Sequence, residues 1–383
     1  MLKALRCECQ ITFSVTPKGP ILIKRDVKKP DITEEEKDYF RRLFNGQEPA
    51  MMFVRTQRDG KLVPYVPGSS LKGVIRSYAE RIARTLHVQG CCDPFCAPSQ
   101  NQPITDPNTS CSEKFVHRRD GKRGGRERRG LTETLSGEVI YKDACPICKL
   151  FGCNFLHSRL LVSDGYTNAY DNARGDQLYR QSSNVKLPRR YSVAIDRYTG
   201  GAKEGALFEF EVEEQATFTF TITLQNFELW QLGLLAFLFR DFEQQLIPIG
   251  TGKSRGLGRV EGLVQEVQVI YFGPVNGLAE GCVAGVGRLH SQGNYGFAPN
   301  DEVLVPNCPP LRPDGALRHT YSFNAAQTQQ LFAAIAPLWC NPDGSGYIDR
   351  YTMPEKMTVK YFLSEEAEQR EQPDEEGGSA AYG

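Results

Sequence analysis

Of the twelve cysteines in this 383-residue chain, seven crowd into residues 91–153. Cys145-Pro-Ile-Cys148 is a CxxC turn, and a tetrahedral zinc site needs two such pairs brought together. The partner pair is Cys91 or Cys92 with Cys96, and Cys111 is a further candidate. The expected ligand set is Cys91, Cys96, Cys145 and Cys148. Four sulfur ligands leave no position for water, so the ion is read as structural. A redox role fits less well, because no thioredoxin-like strand precedes the motif.

A second chemistry is contact with phosphate. The loop Gly250-Thr-Gly-Lys-Ser-Arg-Gly-Leu-Gly258 fails the Walker pattern, because Ile247 stands where that pattern needs glycine. It also lacks GxGxxG spacing. What it offers is a glycine backbone carrying Lys253, Ser254 and Arg255, with Arg259 just beyond, able to approach a phosphate chain closely. The stretch Pro67–Leu86 places Leu71, Val74, Ile75, Tyr78, Ile82 and Leu86 at helical spacing. Ser69 or Ser70 is the expected cap. The free N–H groups of that helix start suit an anion, with Lys72 and Arg76 adding charge close by.

The elements around these residues are legible as patterns. Cys7, Cys9, Ile11, Phe13 and Val15 alternate with polar residues, which reads as a half-buried strand and makes Cys7 and Cys9 core residues. Thr33 and Glu36 form a capping box for a short helix closed by Gly46. Met51–Arg55 and Lys61–Val66 suit a hairpin across Asp59-Gly60. Two alternating runs follow, Phe208–Val212 and Phe218–Leu224. Then come an apolar helix over Glu228–Leu246 and a closing strand over Arg259–Phe272. This order fits an α+β sandwich with an antiparallel sheet and helices on one face, of ferredoxin-like type.

The expected organisation is a core of residues 1–90 and 154–272, interrupted by a cysteine-rich insertion at 91–153. An extension over 273–364 carries a helix at Ala325–Leu338, and an acidic tail, expected to be disordered, fills 365–383. Net charge is zero but segregated: residues 118–129 hold seven Arg or Lys, and 365–376 hold seven acids. Neutrality therefore does not argue against a polyanionic partner. No N-terminal run resembles a signal peptide, and Leu229–Phe239 is too short to span a bilayer. Cytoplasm is the expected location, with no membrane partner.

Four motifs occur in order: Pro67-Gly-Ser-Ser-Leu-Lys-Gly73, Cys145-Pro-Ile-Cys-Lys-Leu-Phe-Gly152, Asp196-Arg-Tyr-Thr-Gly-Gly-Ala202 and the glycine-rich loop. Together they resemble the RAMP superfamily, specifically the backbone subunits of type III CRISPR effector complexes, of type III-D-like character. The resemblance implies an RRM-like core with a zinc-bearing insertion. It also implies a guide RNA held by Ser69, Ser70, Lys72, Arg76, Lys253, Ser254, Arg255 and Arg259, with Lys24, Arg25 and Arg197 nearby. Arg189–Gly201 would supply the thumb-like hairpin that kinks the guide–target duplex. Catalytic members carry an aspartate after the first strand, which points to Asp26 first and Asp31 in reserve.

The implied reaction is attack of a ribose 2′-OH on the neighbouring phosphate, assisted by Mg2+ or Mn2+. An aspartate near its reference pKa of about 3.9 is a weak base alone. Single-stranded target RNA, other RAMP subunits and the large signature subunit are the implied partners. Two alternatives remain: a non-catalytic scaffold in the same complex, and a stand-alone endoribonuclease that matures guide RNA. Five scattered histidines weaken the last.

Overall fold

Strand β1 (Cys7–Pro17) carries Cys7, Cys9, Ile11, Phe13 and Val15 fully buried on one face. Its other face keeps Glu8 and Ser14 buried too, as befits a strand inside a sheet rather than at its edge. The computed structural model describes residues 4–25, 41, 50–58, 61–87, 90–96, 109–114, 116–118, 129–131, 136–168, 187–275, 277–290 and 295–352. Asp26, Asp31, the helix expected after Thr33, most of the basic run and the acidic tail lie outside these residues.

After β1 come β2 (Arg55–Arg58), β3 (Lys61–Pro64) and helix α1 (Gly68–Leu86). The cysteine-rich insertion holds α2 (Cys111–Lys114), β4 (Val116–Arg118), β5 (Arg129–Leu131), α3 (Gly137–Asp143) and α4 (Pro146–Phe151). The core resumes with β6 (Leu160–Val162), β7 (Arg189–Ile195), β8 (Ala202–Glu211), β9 (Phe218–Gln225), α5 (Leu229–Glu243) and β10 (Val260–Phe272). The remainder gives β11 (Cys282–Ala284), α6 (Val286–Leu289), β12 (Glu302–Leu304), β13 (Arg312–Asp314), β14 (Arg318–Phe323) and α7 (Ala325–Trp339).

Six strands form one sheet in the order β13-β14-β10-β1-β9-β6, and every pairing is antiparallel. Within it, β1-α1-β6-β9-α5-β10 is the ferredoxin-like βαββαβ repeat, with its strands in the order fourth, first, third, second. The expected α+β class is thus the observed one. Strands β7 and β8 form a separate hairpin, as do β2 and β3.

The C-terminal extension joins the same core. Strand β14 pairs with β10, Val267 opposite Phe323, and α7 lies against α5. Phe239 stacks on Phe332 at 5.8 Å and Trp230 on Trp339 at 5.7 Å. Gly233 permits this approach: a Cβ there would sit 2.5 Å from the Ile335 carbonyl oxygen, so a side chain would force the helices apart.

Buried polar residues seat the N-terminus of α5. The Asp301 carboxylate accepts from Leu229 N–H at 2.9 Å and Gly287 N–H at 3.1 Å, while Tyr141 donates to Glu228 at 2.5 Å. Burial raises the Asp301 carboxyl to about 7, and the Glu228 charge pushes the same way. No helix among the described residues is long and apolar enough to cross a membrane.

Candidate metal centre and nucleic-acid interface

Four buried thiols meet beneath α1: Cys92, Cys111, Cys145 and Cys148, all Sγ atoms within 4.8 Å of one another. A Zn–S bond of about 2.3 Å sets tetrahedral sulfurs about 3.8 Å apart. Cys92 Sγ lies 3.7 Å from both Cys145 Sγ and Cys148 Sγ. The donor set, its burial and its spacing fit a closed zinc site. Backbone N–H groups already face the sulfurs, Cys148 N–H to Cys145 at 3.4 Å and Cys145 N–H to Cys111 at 3.4 Å. Hydrogen bonds from Cys111, Cys148, Cys91 and Cys92 pull the Cys145 thiol well below its ordinary range.

The four-thiol set differs from the expected ligands at two positions. Cys91 turns its thiol to the Cys92 carbonyl at 3.1 Å, and Cys96 stands outside the cluster, its carbonyl accepting from Ser110 N–H at 3.0 Å. Cys92 and Cys111 take their places. Cys91 stays close enough to hydrogen-bond Cys145 but lies outside the four-thiol set, and Ser110 pairing with Cys96 delivers Cys111, the start of α2, to the centre. Cys153 lies beside Cys148, and a hydrogen bond from that thiol lowers it to about 7.

Helix α1 differs from expectation at its start. Pro67 is the N-cap and no side chain caps the turn. Instead the Asp164 carboxylate, from the segment after β6, accepts from Gly68 N–H at 2.8 Å. Ser69 is exposed and Ser70 half-buried in the first turn. Lys72 and Arg76 point at the cysteine module. Lys72 Nζ donates to Ser158 Oγ at 2.8 Å, and burial with the Arg76 charge lowers its pKa. Arg76 donates to Glu80 at 3.0 Å and the Gly152 carbonyl at 3.3 Å, and its Nη2 lies 4.0 Å from Cys148 Sγ. That position suits a counter-charge to thiolates better than a reach toward a nucleic acid.

The glycine-rich loop sits at the end of the sheet where α1 begins. There β1 ends opposite the start of β10, Pro17 on Val260, while β9 begins opposite Val15 and Tyr166 bridges Thr219. Gly250, Gly252, Gly256 and Gly258 hold φ of 78°, 82°, 81° and 97°, all left-handed. A Cβ on Gly258 would meet the Ile249 carbonyl at 2.5 Å. The loop is pinned to the chain after β1: Thr251 N–H donates to Leu22 O at 2.8 Å and Gly258 N–H to Pro20 O at 2.9 Å. Between these pins, Lys253–Arg255 forms a short exposed turn. Partial burial and the nearby charge of Arg81 lower the Lys253 pKa. Arg259 is exposed and donates to Gln245 at 2.8 Å.

The segment carrying Lys24 and Arg25 continues from those pins. Lys24 is exposed and bridges Phe53, and Arg25 N–H donates to Met52 O at 3.0 Å. The chain at 51–55 is in turn locked to the base of the β7–β8 hairpin by a buried ion pair, Arg55 to Glu211 at 2.7 Å. Arg255 lies 5.8 Å over the Phe208 ring at that base. The hairpin itself stands out from the molecule, with Tyr191, Ile195, Tyr198 and Leu207 exposed. Arg197 is exposed at its tip, where Asp196 accepts from Tyr198 N–H at 2.7 Å.

Sequence reasoning missed Arg81, whose position next to Lys253 no spacing announces. It also missed the Tyr65–Tyr166 stack at 6.0 Å, with Arg58 4.9 Å over Tyr166, beside the start of α1.

A model of the RAMP superfamily matches residues 18–261, and the chain belongs to that superfamily. Among solved structures it is similar to a chain of a Type IV-B CRISPR complex, at 15% identity and a TM-score of 0.39, covering 76% of this chain and 98% of that one. No curated protein matches the sequence.

Proposed function

We propose that this chain is a guide-RNA-binding backbone subunit of a type III CRISPR effector complex, and that it also cleaves target RNA. One observation carries the binding reading. Four left-handed glycines present Lys253, Ser254 and Arg255 between the segment bearing Lys24 and Arg25 and the base of an exposed, aromatic-tipped hairpin. Backbone N–H groups and cations on such a loop suit a ribose-phosphate strand of any sequence. Apolar side chains exposed along a two-stranded arm suit contact with unstacked bases or a neighbouring subunit. Ser69 and Ser70, at the same end of the sheet, complete the proposed groove, while Lys72 and Arg76 support it from the cysteine side. Guide RNA, single-stranded target RNA and sibling subunits are the proposed partners.

The cleavage reading follows from chain order. Asp26 comes directly after Arg25, so the proposed catalytic residue is covalently next to the segment that pins the phosphate loop. Asp26 would be the residue to hold Mg2+ or Mn2+, which would supply charge stabilisation at the phosphate. Among the described residues the one cluster of metal-ligating groups is the thiol set, which suits zinc rather than either ion.

The binding claim predicts that Lys253→Ala with Arg255→Ala weakens guide-RNA binding by about tenfold to a hundredfold at low salt. The slope of log K against log salt should flatten by about 1.4, two contacts at roughly 0.7 each for a single strand. Fluorescence anisotropy over a salt series measures both. An unchanged slope removes these two residues from the interface.

A further inference from the structure

Away from the glycine-rich loop, a cavity of about 340 Å3 is lined by Lys142, Lys149, Tyr347, Arg350, Tyr351 and Thr352. Lys142 comes from α3 and Lys149 from α4, while the rest lie on the chain just after α7. Three cationic residues line this space, and among the described residues no carboxylate does.

Lys149 is the informative member. It is only 8% exposed, and its ammonium donates to the Tyr347 hydroxyl at 3.1 Å. The same ammonium lies 5.4 Å and 5.8 Å from the ring centroids of Tyr141 and Tyr347. The Glu228 carboxylate, which accepts from the Tyr141 hydroxyl, also acts on this ammonium from the protein side, but it does not line the cavity. Zinc thiolates behind Cys148 would offset part of that charge from the protein side. They would put nothing into the cavity, where Lys142 and Arg350 add two more exposed cations.

Three cationic residues and several hydroxyls lining one cavity match a dianionic group with three acceptor oxygens. A carboxylate, with one charge and two oxygens, would leave the set unbalanced. The volume suits a small phosphorylated ligand rather than a bare ion alone. We propose that this cavity binds the terminal phosphate of a phosphomonoester, either a free mononucleotide or the phosphorylated end of an RNA strand. The proposal is independent of the glycine-rich loop.

The test is calorimetric titration of the zinc-loaded full chain with inorganic phosphate, adenosine 5′-monophosphate and adenosine, then with 5′-phosphorylated and 5′-hydroxyl RNA of one sequence. Phosphate and the mononucleotide should bind and adenosine should not. Lys142→Ala with Arg350→Ala, both surface positions, should weaken that binding at least tenfold while zinc content and melting temperature stay put. A preference for phosphorylated RNA that survives Lys253→Ala/Arg255→Ala identifies a strand end as the source. Tighter binding of the mononucleotide than of either RNA identifies a free ligand. No binding at millimolar phosphate, or binding unmoved by the double variant, overturns the proposal.

Discussion

Cys111→Ser should leave the purified chain without its zinc, and Cys96→Ser should not. The difference follows from position: Cys111 lies in the cluster whose sulfurs approach within 4.8 Å of one another, and Cys96 stands outside it. Structural zinc in small thiolate sites contributes apparent free energies of about 10–16 kcal/mol, so losing one of four ligands removes much of what holds such a site together. Cys92→Ser, Cys145→Ser and Cys148→Ser should behave like Cys111→Ser. Cys91→Ser should also keep the metal, since Cys91 is outside the four thiols whose sulfurs all lie within 4.8 Å of one another. Metal content by mass spectrometry of the purified variants reads this directly, and limited proteolysis of residues 91–153 reads its structural cost. Acid should act in the same direction as ligand loss, because thiolates must take up protons for the metal to leave. Zinc retained by Cys111→Ser and lost by Cys96→Ser would restore the pairing first expected from the sequence.

The second large effect belongs to Asp26. In an assembled effector complex, Asp26→Ala should abolish the cuts in target RNA proposed for this subunit while guide binding stays within about twofold, as expected for a residue outside the proposed phosphate contacts. The proposed phosphate contacts are Lys253, Arg255 and the loop backbone, while the group proposed to meet the attacking hydroxyl is the aspartate just past Arg25. The part proposed for it is to orient the hydroxyl or to hold a cation. Asp31→Ala should leave cutting intact if Asp26 is the right choice. Sequencing of cleavage products separates the outcomes: survival of every cut means the subunit is a scaffold. Cutting of repeat RNA by the isolated chain would instead favour a maturation enzyme.

Legibility in the sequence tracks the kind of force involved. Alternation along Cys7–Val15 gave β1, and all five residues are buried, because side-chain period and burial are one signal in a strand. The α1 period was visible through Leu71 and Ile75. Its core face also includes Ala79 and Ala83, too small to stand out in a pattern of large apolar residues, whereas Leu86 is exposed. The family resemblance, not residue pattern, points to a hairpin at Arg189–Gly201, and the observed one runs on to Glu211. What stayed hidden depends on backbone routes. Cys111 reaches the thiol centre by fold alone, and β14 joins the sheet by hydrogen bonds that demand no particular side chain. Lys72 and Arg76 were correctly placed on α1, but their charges could not disclose that their side of the helix meets Ser158 and Cys148.

Photo-crosslinking maps the central claim most directly. A guide RNA carrying 4-thiouridine at successive positions, bound to the full chain and analysed by peptide mass spectrometry, should crosslink within residues 250–259 and along the hairpin 189–211. Adducts confined to surfaces away from both segments would contradict a strand lying between the phosphate loop and the arm.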